Sequence, residues 1–195
     1  PEKGSGKTTV VANLGLTLAR AGYSTILVDG DLRSPGLHSI FKLSNKTGLA
    51  EVLRGQPLDS ALQPTNFSNL RVLPAGISNH QDLSEIATPE RISGVLADLL
   101  KDCEYLIVDA PSVLAVADAA VLAALSDAVV VVVSQRLTTR EAFHLTLQYL
   151  EDIQANLIGV VVNRIPMSLL SKYYSHDRRA ALTDGSRPVS SKVSS

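Results

Sequence analysis

Six residues near the start, Gly4-Ser5-Gly6-Lys7-Thr8-Thr9, restrict what this chain can be more than any other stretch. A small, Gly-rich run lets successive backbone N–H groups turn inward on one anion, and a helix beginning where the run ends adds its positive N-terminal pole. In such a loop the ammonium of Lys7 reaches the outer phosphates of a nucleotide, and the hydroxyl of Thr8 is suited to Mg²⁺. The usual spacing has Gly six residues before the lysine, where this chain has Pro1. A Gly-rich turn that merely caps a helix is the plain alternative, and two acidic motifs farther along argue against it. A loop of this kind hangs from the end of a buried strand. The expectation is therefore of an N-terminally truncated domain whose first strand lies outside the sequence.

The first acidic motif closes Thr25-Ile-Leu-Val-Asp29, a short apolar run of the sort that is buried on both faces of a sheet. It continues as Asp29-Gly30-Asp31-Leu32-Arg33, so Asp29 and Asp31 stand two residues apart just past a strand's C-terminal end. Ligands bind there in open α/β sheets. A solvated turn would use the same residue types, but the strand delivers both carboxylates beside the Gly-rich loop. The second motif is Tyr105-Leu-Ile-Val-Asp109-Ala-Pro111, again a branched apolar run ending in a carboxylate. Asp109 has the position of a metal-associated group.

Between and after these motifs, helices alternate with strands. Residues 8–21 read as a helix with Val10, Val11, Leu14 and Leu18 on one face and Gly22 as its stop. One or two short helices are expected over 36–55, a strand over 70–74, and a polar loop over 76–87 in which His80 is a surface residue. Thr88-Pro89-Glu90 opens a helix to about Lys101. An Ala-rich helix interrupted by Asp118 follows over 115–125, then an apolar strand from Ala128 to Val133. Thr138-Thr-Arg-Glu141 has the spacing of a capping box, opening a helix that buries Phe143, Leu147 and Leu150. The last strand is Leu157 to Val162, before Asn163-Arg164. This alternation implies an α/β fold, a doubly wound and mainly parallel sheet with helices on both faces. From about residue 175 periodicity is lost, so the expected division is a domain over 1–174 and a disordered tail over 175–195.

Composition removes several classes of function. A net charge of −1 gives no argument for wholesale nucleic-acid binding. The single Cys103 precludes an internal disulfide and a multi-Cys metal site, which suits a reducing cytoplasm. The two glycosylation-like triplets at Asn45 and Asn66 are chance matches on this reading. The unbroken aliphatic run from Ala128 to Val133 is far short of the roughly 20 residues of a spanning helix.

Taken together, Gly4-Ser-Gly-Lys-Thr-Thr9, Ile26-Leu-Val-Asp-Gly-Asp-Leu-Arg33 and Tyr105-Leu-Ile-Val-Asp-Ala-Pro111 resemble the Walker A, A′ and B motifs of the bacterial tyrosine kinases. These are P-loop proteins of the deviant-Walker type that serve capsule and exopolysaccharide export. Arg33-Ser-Pro-Gly-Leu-His38, Gly48-Leu-Ala-Glu-Val-Leu53, Leu73-Pro-Ala-Gly76 and Gly159-Val-Val-Val-Asn163 support the likeness, which covers residues 1–174. The related partitioning and septum-site ATPases carry a signature lysine five residues before the Walker lysine. Glu2 occupies that position here, with Lys3 one place later.

The resemblance implies an autophosphorylating, ATP-dependent protein tyrosine kinase using Mg²⁺. Gly4, Ser5, Gly6, Lys7, Thr8 and Thr9 would bind the nucleotide, and Asn163 with Arg164 would contact the adenine. Thr8, Asp31 and Asp109 would surround the metal, while Lys7, Asp29 and Asp31 would serve catalysis, with Asp29 near the incoming hydroxyl. Tyr173 and Tyr174 stand near the family's phosphoacceptor cluster, and a role in packing competes with that reading. The implied partners are ATP, a second copy of the chain acting in trans, and a membrane polysaccharide chain-length regulator, fused or separate. The implied location is the cytoplasmic face of the plasma membrane. An ATPase switch of the partitioning type and a nucleotide-sensing assembly module remain the alternatives.

Overall fold

The computed structural model describes residues 4–77, 83–114 and 118–167. The chain divides into two units, Pro1–Asn163 and Arg164–Ser195, and the strands and helices described below belong to the first. His80, Tyr173, Tyr174 and the expected tail lie outside the described residues.

Helix α1 (Lys7–Arg20) starts on Gly6, whose φ of 94° is a left-handed conformation that glycine adopts without a Cβ penalty. Gly22, at φ 99°, follows its end as the sequence implied. Strands β1 (Thr25–Asp29), β2 (Gln63–Pro64), β3 (Leu70–Leu73) and β4 (Tyr105–Asp109) form one sheet in the order β2-β3-β1-β4. β1 is parallel to both β3 and β4, and only the two-residue β2 runs antiparallel. A second sheet is the parallel pair β5 (Val129–Ser134) and β6 (Leu157–Asn163). The parallel α/β expectation is met, but the described strands make two sheets rather than one.

β1 is buried at all five positions because helices cover both its faces. On one side Leu27 and Val72 pack against Ala12 and Ala19 of α1. On the other, Ile26, Val28 and Leu73 meet Ala50 and Leu53 of α3 (Leu49–Leu53) and Ile92, Leu96 and Leu99 of α5 (Pro89–Leu100). Thr88 caps α5 by accepting from the Arg91 amide, with Pro89 as its first residue, as read from the sequence. In β5, Val131 packs with Ala123 of α6 (Asp118–Ala124) and Leu150 of α7 (Arg140–Asp152).

Two local expectations need correction. The cap of α7 is Thr139, whose Oγ1 accepts from the Ala142 amide at 3.1 Å, whereas Thr138 Oγ1 accepts from Ser134 at the end of β5. The box read at 138–141 is thus not formed: the N-cap lies one residue later, opposite Ala142, because Thr138 is used to close the β5 turn. The loop expected over 76–87 contains the short α4 (Leu83–Ile86). Of the helix expected over 115–125, α6 (Asp118–Ala124) is described, and residues 115–117 lie outside the described residues.

Candidate active site

The C-terminal ends of β1 and β4 meet the N-terminus of α1. Asp29 and Asp109 are register partners on adjacent parallel strands, and the Gly30 amide donates to the Asp109 carbonyl at 3.0 Å. The two carboxylates therefore lie side by side at one height. Gly4 and Gly6 take φ values of 86° and 94°, the conformation a Gly-rich anion loop requires. The hydroxyl of Thr8 and the Lys7 ammonium both lie close enough to Asp109 to lower that carboxyl's pKa. These contacts bring the loop and both strand-end motifs into one cluster.

Each carboxylate is fastened at some atoms and open at others. Asp29 Oδ2 accepts from the amides of Gly36 and Leu37, both at 2.9 Å. These begin α2 (Leu37–Phe41), so the turn after the first acidic motif is folded onto Asp29 itself. Gly36 is tied to the loop helix as well, since a Cβ there would lie 2.9 Å from Thr8 Cγ2. Asp31 Oδ1 accepts from the Ser34 amide at 2.9 Å. In contrast, Asp29 Oδ1, Asp109 Oδ1 and Ser5 Oγ are buried with no hydrogen-bond partner.

A buried carboxylate oxygen without a partner is costly unless a cation or a proton meets it. Burial pushes the Asp29 carboxyl up to about 6, against the pull of the Leu37 and Gly36 amides and with a further push from the Asp31 charge. Asp109 is also raised to about 6, by burial first, with Thr8 and Lys7 lowering it and Asp29 raising it. These oxygens suit a hard cation. Mg²⁺ binds through one or two carboxylates together with phosphate oxygens and water, so the donor set fits. Among the described residues no cluster of three or more His, Cys, Asp or Glu forms a self-sufficient metal cage.

Asn163, expected at the base, sits against the loop. Its Nδ2 donates to the Ser5 carbonyl at 3.0 Å, and a Cβ on Gly6 would meet that nitrogen at 2.1 Å. Arg164 has a left-handed backbone, φ 55°, and belongs to the second unit. The loop's contact with Asn163, and the double amide contact of Gly36 and Leu37 with Asp29, had no signal in the sequence.

The AAA domain family profile matches residues 2–161. A tyrosine-protein kinase CpsD of Streptococcus pneumoniae is 33% identical over 87% of this chain and 75% of its own length. The succinoglycan biosynthesis transport protein ExoP of Rhizobium meliloti is 29% identical over 88% of this chain, which spans 22% of that longer protein. The kinase domain of the Escherichia coli tyrosine kinase ETK superposes with a TM-score of 0.77 at 29% identity, covering 85% of this chain and 66% of that one.

Proposed function

The chain belongs to the bacterial tyrosine kinase family, and from that premise we propose that it transfers the γ-phosphoryl group of ATP to protein tyrosine in the control of capsular or exopolysaccharide synthesis. The observation that carries this reading is the meeting of three elements: an anion loop, a hydroxyl beside Asp109, and two buried carboxylate oxygens with no partner. Phosphoryl transfer needs positioning and charge neutralisation more than covalent help from the protein.

The amides from Gly4 to Thr9 and the Lys7 ammonium hold the phosphates in this reading. Thr8, Asp31 and Asp109 would hold Mg²⁺, which would supply positive charge to neutralise the phosphate oxygens. Asp29 holds the working turn through Oδ2 and keeps Oδ1 for the incoming hydroxyl. A tyrosine hydroxyl, with a pKa near 10, is neutral at pH 7, so a carboxylate raised to about 6 is a suitable proton acceptor. Asn163 and Arg164 are the family-derived candidates for the base, and Tyr173 and Tyr174 for phosphoacceptors in trans.

The match to one stretch of a much longer transport protein supports a membrane polysaccharide chain-length regulator as partner, fused or separate. A site on the cytoplasmic face of the membrane follows from that partner. No helix among the described residues is long and apolar enough to cross a membrane.

Incubation with Mg²⁺ and γ-labelled ATP, beside Lys7→Met, tests the reaction. Label on tyrosine, lost in the variant and mapped by mass spectrometry, is the expected result. Free phosphate without labelled tyrosine would overturn it in favour of an ATPase switch.

A further inference from the structure

The last residue of β6 reaches across to the Gly-rich loop, 158 positions away in sequence. Its main chain is fixed first: Asn163 pairs with Ser134 in the β5–β6 ladder, and its carbonyl accepts from the Gln135 amide at 3.1 Å. The side chain then donates to the Ser5 carbonyl at 3.0 Å and occupies the space a Cβ on Gly6 would need. The turn after β5 flanks the same loop, since a Cβ on Gly4 would lie 3.8 Å from Leu137 Cδ1.

We infer that Asn163 is a positioning residue for phosphate binding, holding the Ser5–Gly6 peptide in the orientation the anion loop requires. The inference rests on the nucleotide reading above and goes beyond the family's assignment of this residue to the base.

In a trans peptide the C=O and the N–H that follows point in opposite directions. Fastening the Ser5 oxygen to Asn163 therefore directs the Gly6 N–H the other way, away from β6. Flanked by glycine, this peptide is the easiest in the loop to rotate, because Gly accepts both signs of φ. Rotation would replace an inward donor by an inward carbonyl oxygen, which repels phosphate. A single neutral hydrogen bond biases such a choice by about five- to tenfold.

Tripolyphosphate with Mg²⁺ is the discriminating probe, because it has phosphates but no base. Calorimetric titrations of the unaltered chain, Asn163→Ala and Asn163→Asp would be run with Mg·tripolyphosphate and with Mg·ATP. The expected result is a loss of about five- to tenfold for both ligands in Asn163→Ala. A larger loss is expected in Asn163→Asp, which keeps the side chain's shape but turns a carboxylate toward a carbonyl. Circular dichroism checks folding, and if the alanine variant does not fold the isosteric Asp variant decides. Unchanged tripolyphosphate affinity with weakened ATP would overturn the inference and return Asn163 to the base alone. Unchanged affinity for both would overturn it outright. If the unaltered chain binds neither ligand, the nucleotide reading falls and the positioning role falls with it.

Discussion

The two sheets use the same kind of strand and put it in different surroundings. β1, Thr-Ile-Leu-Val-Asp, is buried at every position, whereas β6, Leu-Ile-Gly-Val-Val-Val-Asn, alternates half-buried and exposed side chains along its length. Ile158 is 64% exposed and Val162 49%, against 0% for Ile26 and Val28. An apolar run thus identifies a strand without saying how many of its faces are covered. The difference extends to the site. The doubly covered β1 supplies Asp29, whose carboxylate needs a dry, rigid setting to be poised, while β6, open along one face, supplies a carboxamide that acts through the loop.

Substitutions and pH can break this contrast. The largest effect expected is on Asp29→Asn: tyrosine phosphorylation falls about a thousandfold, the range for loss of a positioned proton acceptor. The ligand-free variant should melt higher, because the buried charge is gone. Wild-type turnover in labelled-ATP assays would remove Asp29 from the chemistry. Next, Ile26→Ala should cost about 3 kcal/mol in urea unfolding, the transfer and cavity terms of a full core deletion. Ile158→Ala should cost less than about 0.5 kcal/mol if β6 is as open as it stands. Equal losses would mean that the exposed face of β6 is covered in solution.

The pH dependence follows from the two raised carboxyls. Each has a pKa of about 6 in the fold against an ordinary 3.8, so the folded chain holds more protons between those values. Their contribution to stability is complete below about pH 3.8 and is lost as pH rises through 6. A loss of up to about 3 kcal/mol per group is expected between pH 4 and 7 for the ligand-free chain. Mg²⁺ binding has the opposite sign, weakening below pH 6 as the carboxylates take up protons. Thermal melts across that range, with and without Mg·ATP, measure both. A more local effect concerns α7: Thr139→Ala should cost about 1 kcal/mol through loss of its N-cap. A melt unmoved by that change would return the cap to Thr138.

Much of the site was legible because the chemistry there is local. Gly4 and Gly6 announce a left-handed turn, and Asp29 and Asp109 announce themselves by ending apolar strands. The sequence could not disclose which strand edges pair, since Val129–Val133 would be equally at home beside β4 or apart from it. Nor could it disclose Asn163 on Ser5, a contact made by tertiary folding between distant residues with no shared motif. The one-residue slip at Thr138 and Thr139 has a similar source. Either threonine can cap, and the choice was made by the demand of the Ser134 amide for a partner.

The closeness of Asn163 to Gly6 also constrains how such a chain can change over generations. An alanine at position 6 is opposed twice, by its φ of 94° and by the carboxamide in the space its methyl would fill. A smaller residue at 163 would remove the second obstacle and leave the first. A change at 163 therefore makes no steric demand on position 6, and no change at 163 opens position 6, so the steric dependence between the two sites runs in one direction only.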